Sequence, residues 1–505
     1  MSDPVAPAQL RSILIAVCVA LMAVIASVSG LNVAQQEIAV AFGASQSTVL
    51  WIINTYTLTL AALLLPLGAV GDRWGRKPVL LAGLVVFGVA SAAAGLATAT
   101  EVMIAARLLA GVGAAMIMPV TLAVITSTFP DERRAQAIGV WTGVAGGGGL
   151  LGMYLSALLV DVASWRWLFA LPVALVVVAG VLALRSAPNS REGRGFDAIG
   201  SLTSAVAAVG LIFALHEGPE RGWTSAPALA GLLVGSLAAA AFVAWELRTP
   251  VPLLDVRLFR DRRLAGGSVA LLVLFGVQAG IFVVLFPYFQ AVLGWSALRS
   301  TLALMPMALL MMAASGLAPR LRSRATMPAG IALSAAGLAL MAVLVSVDGG
   351  YLSVLPGMLA MGLGMGLTMT PSTEAITAAL PRESQGVASA LNDVTREFGT
   401  ALGVALLGAI VSAGYRHAVD TRLDGVPAEV AGAARDGIAN ALAAGHATPA
   451  VVRAAQESFV DGWQQAMWAG VAVMAILFAY VLVARVGPDQ RPRLVSTPSA
   501  RSSAD

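Results

Sequence analysis

The chain has 505 residues, 58% of them hydrophobic and only 11% charged, with a mean hydropathy of +0.84. That composition excludes a soluble domain and describes a polytopic membrane protein whose solvent is a lipid bilayer. A net charge of +4 is no nucleic-acid signal, and a lone cysteine, Cys18, excludes disulfides and a thiolate metal site.

A single arginine, Arg11, precedes the first apolar run, which is too long for a signal peptide and reads as an uncleaved first helix. Apolar spans follow near 12–32, 49–70, 79–97, 102–127, 136–160, 165–184, 198–215, 226–245, 264–287, 301–317, 327–346, 353–377, 387–412 and 466–485. Fourteen helices of roughly 20 residues need about 280 residues, which the chain accommodates with loops to spare. Every second loop is rich in arginine: Arg73, Arg76 and Lys77 (the only lysine), Arg133 and Arg134, Arg185, Arg191 and Arg194, Arg257 to Arg263, and Arg320, Arg322 and Arg324. The alternate loops hold isolated cases such as Arg221 and Arg299, so the asymmetry predicts a cell-membrane protein with both termini in the cytoplasm.

Two half-repeats are visible. Gly316 to Arg324 follows the tenth span as Gly68 to Arg76 follows the second, an offset of 248 residues. Gly111, Gly113, Pro130 and Glu132 recur as Gly362, Gly364, Pro381 and Glu383, an offset of 251. Secondary transporters are built from such repeats, with a binding site between them. The predicted fold is all-α: a short cytoplasmic N-terminus (1–11), a six-helix half (12–185), a two-helix insert (198–245), and a second six-helix half (264–485). An Ala-rich outer segment (413–465) and a cytoplasmic tail (486–505), expected to be disordered, complete it.

Between the second and third spans stands Gly68-Ala-Val-Gly-Asp72-Arg73-Trp-Gly75-Arg76-Lys77. Four charges in ten residues place this turn in water at a membrane edge. Physics alone leaves open a loop that only sets topology and a turn whose Asp72 takes backbone donors or a cation. Arg107 lies inside the fourth span, where a charge is costly; it either snorkels to the surface or serves a function. Asp393, Arg396 and Glu397 share one face of the thirteenth span at i, i+3 and i+4, with Glu374 near the end of the twelfth. They form either a structural ion-pair cluster or a proton site. A cavity for a small-molecule substrate could draw on Asn32, Asn54, Tyr56, Tyr288, Gln290, Met305 and Met307, methionine being adaptable to varied ligands. There is no G-x-x-x-x-G-K-[ST] phosphate loop, His216, His417 and His446 have no ligand spacing, and no buried nucleophile–base set is present. No enzyme activity, metal or cofactor is expected.

The Gly68–Lys77 turn resembles the G-x-x-x-D-R-x-G-R-[RK] signature of major facilitator superfamily transporters. Trp51 to Leu58, Trp165-Arg166-Trp167, Glu217-Gly-Pro-Glu-Arg-Gly-Trp223 and Ser389 to Glu397 are similar to the fourteen-span drug:proton antiporter family within it. The resemblance runs from about 30 to 485. It implies that Gly68, Asp72, Arg73, Gly75 and Arg76 latch the cytoplasmic face, and that Arg107, with Gly111 and Gly113, is tied to proton coupling beside a first-span aspartate. Here that aspartate falls on Ser27 and a second-span acid on Asn54. The fifth-span antiporter motif keeps Gly152 but has Met153 for its proline and Ser156-Ala157 for its glycine pair. Gly143 and Gly147 still allow close packing or bending. The implied function is a monomeric secondary exporter of amphipathic drug-like molecules, driven by protons. The missing acids leave open a dedicated exporter of one metabolite or antibiotic with altered coupling, and more remotely a non-transporting sensor.

Overall fold

The computed structural model describes residues 7–484 apart from 45, 187, 190–194, 322, 425, 427 and 444–447. Arg191, Arg194, Arg322, His446 and the 486–505 tail lie outside the described residues, as do the side chains of Asn32, Gln35 and Asp161. The backbone is helical because lipid offers no hydrogen bonds, so each spanning segment must satisfy its own amides and carbonyls.

In chain order the helices are α1 (Pro7–Val33), α2 (Gln35–Phe42), α3 (Gln46–Trp74), α4 (Arg76–Gly95), α5 (Thr100–Thr128), α6 (Asp131–Val162) and α7 (Trp167–Ser186). The insert supplies α8 (Ala198–Arg221) and α9 (Ala226–Glu246). Then come α10 (Arg262–Pro287), α11 (Ala297–Ala303), α12 (Met305–Leu321), α13 (Thr326–Leu344), α14 (Gly350–Ala379) and α15 (Gln385–Arg422). The short α16 (Ala428–Asp436) and α17 (Ile438–Ala443) precede α18 (Pro449–Ala484). Among the described residues, 14 segments are long and apolar enough to cross a membrane, α11 and α12 together making one of them. The arginine-bearing loops follow alternate spans and therefore share one side of the bundle, its arginine-rich end.

The two halves pack by the same scheme. In the first, α1 lies on α6 and α7, α3 on α5, and α4 on α5 and α7. In the second, α10 lies on α15 and α18, α12 on α14, and α13 on α14 and α18. The glycines of the 251-residue repeat explain the correspondence. A Cβ at Gly113 would stand 2.7 Å from the Phe87 nitrogen of α4, and one at Gly364 2.6 Å from the Ser334 nitrogen of α13. The repeat conserves a backbone approach that a side chain would block.

Helix α8 leans on both α3 and α15, whereas α9 turns Leu229, Leu232, Leu233 and Leu237 outward, as a lipid-facing helix does. The halves meet along α6 against α12 and α14, and along α15 against α3 and α5.

The outer segment differs from its sequence boundaries. Helix α15 does not stop near 412 but runs 38 residues to Arg422, about 57 Å at 1.5 Å per residue and well beyond the hydrocarbon core. Helix α18 starts at Pro449, 17 residues before the expected 466. Buried apolar side chains such as Val419, Phe459 and Trp463 pack these extensions together, and charges join them at the surface. Arg422 pairs with Asp461 at 2.7 Å, and Arg453 binds Glu457 at 2.8 Å together with Asp348, whose carboxyl it holds below the usual carboxylate range. A window for apolar runs discards such residues, which is why the helices look shorter in the sequence.

The repeat glycines yield a graded expectation for thermal stability of the detergent-solubilised protein. Gly113→Ala and Gly364→Ala insert a methyl against backbone and should each cost about 1–3 kcal/mol, lowering the melting temperature. Gly316→Ala, whose Cβ would meet nothing within 4 Å, should leave it unchanged or raise it slightly through helix propensity. Equal shifts at all three positions would contradict the packing account.

Candidate functional site

Two polar constellations join the halves. The first lies at the arginine-rich end. The turn between α3 and α4 is possible because Gly75 adopts φ +110°, a left-handed conformation that favours glycine. The turn places Asp72 opposite the start of α15, whose own N-cap residue Ser384 makes no side-chain cap. The first amides of a helix have no partner inside it. Asp72 supplies one from the other half: the Gly386 amide donates to its two oxygens at 2.9 and 2.8 Å, and the Val387 amide donates at 3.2 Å. Arg76 donates to the same carboxylate at 2.8 and 3.2 Å and to the Arg382 carbonyl at 3.3 Å. Gly68 and Gly386 let the backbones touch, since a Cβ at Gly68 would lie 2.6 Å from the Gly386 oxygen. Asp72 and Arg76 are buried, 3% and 1% exposed. Arg73 is exposed and outside this network, and Lys77 instead ties α4 to the Leu184 carbonyl of α7 at 2.8 Å. An exposed pair, Arg382 and Asp131 at 3.4 Å, adds a second strap between the halves.

The second constellation is deeper in the bundle. Arg107 of α5 does not snorkel; it is 1% exposed. Its NH1 donates to Ser27 Oγ at 3.0 Å, and its guanidinium stands 4.3 Å from the centre of the Tyr56 ring. Nε has no acceptor. Ser27 is therefore the direct partner of Arg107, while Asn54 faces a crevice between α3 and α8. Glu397 of α15 is within electrostatic reach of both Tyr56 and Arg396. Arg396 pairs with Asp393 at 3.5 Å and lies 4.5 Å from the Phe275 ring and 5.7 Å from that of Trp141. Asp393 is fully buried; Oδ1 accepts from Asn392 Nδ2 at 3.2 Å, but Oδ2 accepts no hydrogen bond. Two contacting sets, Ser27–Arg107–Tyr56 and Arg396–Asp393, thus make up a polar seam, with Glu397 in electrostatic reach of both. Glu374 is half-buried on α14 and has an interaction of its own.

The fifth-span glycines serve packing. Gly143 faces Met312 and its backbone, a Cβ at Gly147 would meet Met312 and the Ala308 oxygen at 2.8 Å, and one at Gly152 would stand 3.2 Å from the Ala26 Cα. Alongside them Thr142 and Thr370 share a hydrogen bond of 2.8 Å across the halves, and Thr370 donates to the Ser315 carbonyl at 3.1 Å. These three residues were missed, because a hydroxyl on an apolar helix ordinarily bonds its own backbone and carries no separate signal.

The four second-half cavity candidates lie toward the end opposite the Asp72 turn. The Tyr288 side chain does not line a cavity: its hydroxyl donates to the Ser346 carbonyl at 2.9 Å and its ring centre is 5.2 Å from that of Trp463, so packing at the far end consumes it. Gln290 is exposed beside it, Met307 is buried with its carbonyl against Gly362, and Met305 is half-buried at the α12 start. Their apolar character made cavity and packing indistinguishable in the sequence.

The Major Facilitator Superfamily family model matches residues 15–404. The chain is 33% identical over 452 residues to the multidrug efflux pump LfrA of Mycolicibacterium smegmatis, spanning 88% of each chain. It is 32% identical over 407 residues to the tetracenomycin C resistance and export protein of Streptomyces glaucescens, spanning 79% of this chain and 75% of that one. Its fold is similar to the crystal structure of a double Trp mutant of XylE, with a TM-score of 0.63 at 13% identity, covering 96% and 97% of the two chains. Matched over most of its length, and with two six-helix halves flanking a two-helix insert, this chain belongs to the major facilitator superfamily.

Proposed function

We propose that the chain is a secondary exporter of amphipathic drug-like molecules that works by alternating access and takes up protons in exchange. The export half of this reading is supported by relatives named for multidrug efflux and for antibiotic resistance and export. The proton half is carried by one observation: the buried ion pair in which Asp393 keeps an oxygen free of hydrogen bonds beside Arg396. A carboxylate so placed binds a proton when Arg396 turns away and releases it when the pair reforms. One proton entering down ~150 mV supplies about 3.5 kcal/mol, enough for a gradient of a few hundred-fold. The arginine-rich end would face the cytoplasm, with both termini, and a single chain contains both halves and the whole seam, so a monomer suffices.

In this reading the Asp72 contact to α15 is the latch of the state closed to the cytoplasm. A second reading, export of one antibiotic or metabolite without coupling, is favoured by Ser27 standing at the Arg107 guanidinium where a carboxylate would complete an ion pair. A buried cation without a fixed counter-charge suits a neutral or anionic substrate.

Substrate-induced collapse of a preformed pH gradient in inside-out vesicles separates the two. With Asp393→Asn or Arg107→Ala, collapse should vanish; retention in both variants, with export intact, would sink the coupled reading. The latch is tested with Cys18→Ser and a reporter thiol introduced by Ser389→Cys on buried α15. Asp72→Asn removes a charge-assisted cap of about 1–2 kcal/mol, so labelling from the cytoplasmic side should accelerate roughly 5–30-fold. An unchanged rate would show that the contact does not hold this end shut.

A further inference from the structure

Where the insert rejoins the second half, at the arginine-rich end, two carboxyl groups are buried side by side. Asp197 is the N-cap of α8: Oδ1 accepts from the Gly200 amide at 2.8 Å, and the Trp245 indole N–H is shared between both oxygens at 3.0 Å. Glu246, the last residue of α9, is 0% exposed. Its Oε2 accepts from the Leu254 amide at 3.2 Å and so fastens the linker that runs on to α10. Its Oε1 has no hydrogen-bond partner. That oxygen shares the space over Gly200 with Asp197: a Cβ at Gly200 would stand 2.6 Å from Asp197 Oδ2 and nearer still to Glu246 Oε1. Only a glycine leaves room for both carboxyl groups there. The charged groups that act on Glu246 among the described residues are Asp197 and, in the linker, Asp255, both acids. Arg257 turns its guanidinium to the Leu247 carbonyl at 2.7 Å, and Arg248 is exposed.

We propose that Glu246 and Asp197 form a proton-binding site, separate from the Asp393 seam, that ties the two-helix insert to the linker of the second half. Two carboxylates cannot both hold a charge in one buried space without a cation beside them. Asp197 is the one that stays ionised, because an amide and an indole already donate to it, and such bonds favour the charged form. The proton therefore sits on Glu246 Oε1, which changes from an acceptor without a donor into a donor to Asp197. That bond closes a chain from the start of α8 through the end of α9 to the Leu254 amide. Loss of the proton to water leaves two like charges at the junction, which separate and release the linker. The tie thus holds at low pH and opens as pH rises. Since α8 leans on both α3 and α15, the tie decides how firmly the insert follows the second half.

The test uses the full chain in detergent, where both faces meet the reagent and neither orientation nor transport enters. In a Cys18→Ser background, Leu254→Cys puts a thiol at a position that is 4% exposed and keeps the amide that Glu246 binds. Val251→Cys, at a position 40% exposed, is the reference, and the ratio of the two maleimide alkylation rates cancels the pH dependence of the thiol itself. Between about pH 6 and about pH 9 that ratio should rise roughly tenfold. Glu246→Gln donates as the protonated acid does and carries no charge, so it should hold the ratio low at every pH. Asp197→Asn removes the like charge and should flatten the profile, whereas Glu246→Ala should keep the ratio high throughout. Asp393→Asn should leave the profile as in the parent, so the site stands or falls separately from the coupled-export reading. A ratio that does not change with pH in the parent overturns the proposal. So does a ratio that is high at every pH in Glu246→Gln, which would mark the carboxylate as a purely structural acceptor, or one that rises in that variant as it does in the parent.

Discussion

The bundle's closed end depends on a carboxylate of one half capping a helix of the other. Asp72 reaches the Gly386 and Val387 amides, the unsatisfied start of α15, while Arg76 balances the charge it brings into a buried place. The contact needs both chemistries: a helix start that its own Ser384 leaves uncapped, and two glycines that let α3 and α15 approach to backbone contact. Such an interaction is strong when made and costly when half-made, since either partner left alone is a buried group without a bond.

Helix α15 links this contact to the seam. Asp393 and Arg396 lie about two and three turns beyond Gly386 on the same rigid element, which also packs on α3, α5 and α8. A tilt of α15 that releases Asp72 therefore also alters the separation of Arg396 from Trp141 and of Glu397 from Tyr56. The first half contributes only a cation to this seam, and stabilises it with a hydroxyl and a ring instead of a carboxylate. The titratable acids stand on the second half alone.

The internal repeat is close in packing and unequal in chemistry. Gly113 and Gly364 occupy equivalent helix contacts, but the position matching Asp72 is Arg320, exposed, and the one matching Gly68 is Gly316, with open space around it. Only one of the two pseudo-equivalent turns can cap a helix across the interface. At the mirror position α6 carries Asp131 and Glu132 in its first turn and likewise has no side-chain cap of its own. The two-helix insert breaks the symmetry again, touching both α3 and α15 through α8 and lipid through α9.

By itself the sequence determined the membrane class, the number of spans, the repeat and the place of the charged turn. Each of these is written in local patterns: apolar run length set by bilayer thickness, arginine placement, and glycine spacing. The isolation of Arg107 from any first-half carboxylate was legible for the same reason, since an acid inside a lipid span is conspicuous and Ser27 and Asn54 are not acids. Only the tertiary structure decided partners. That Ser27 and the Tyr56 ring hold Arg107, that Asp72 bonds amides more than 300 residues away, and that Thr142 meets Thr370 depend on which helices cross and at what height. The same holds for Tyr288 and Met307, whose apolar bodies suit a cavity or a helix contact equally until the neighbouring helix is in place. Sequence spacing sets which residues share a face of one helix; the face each helix presents to another is a property of the packed bundle.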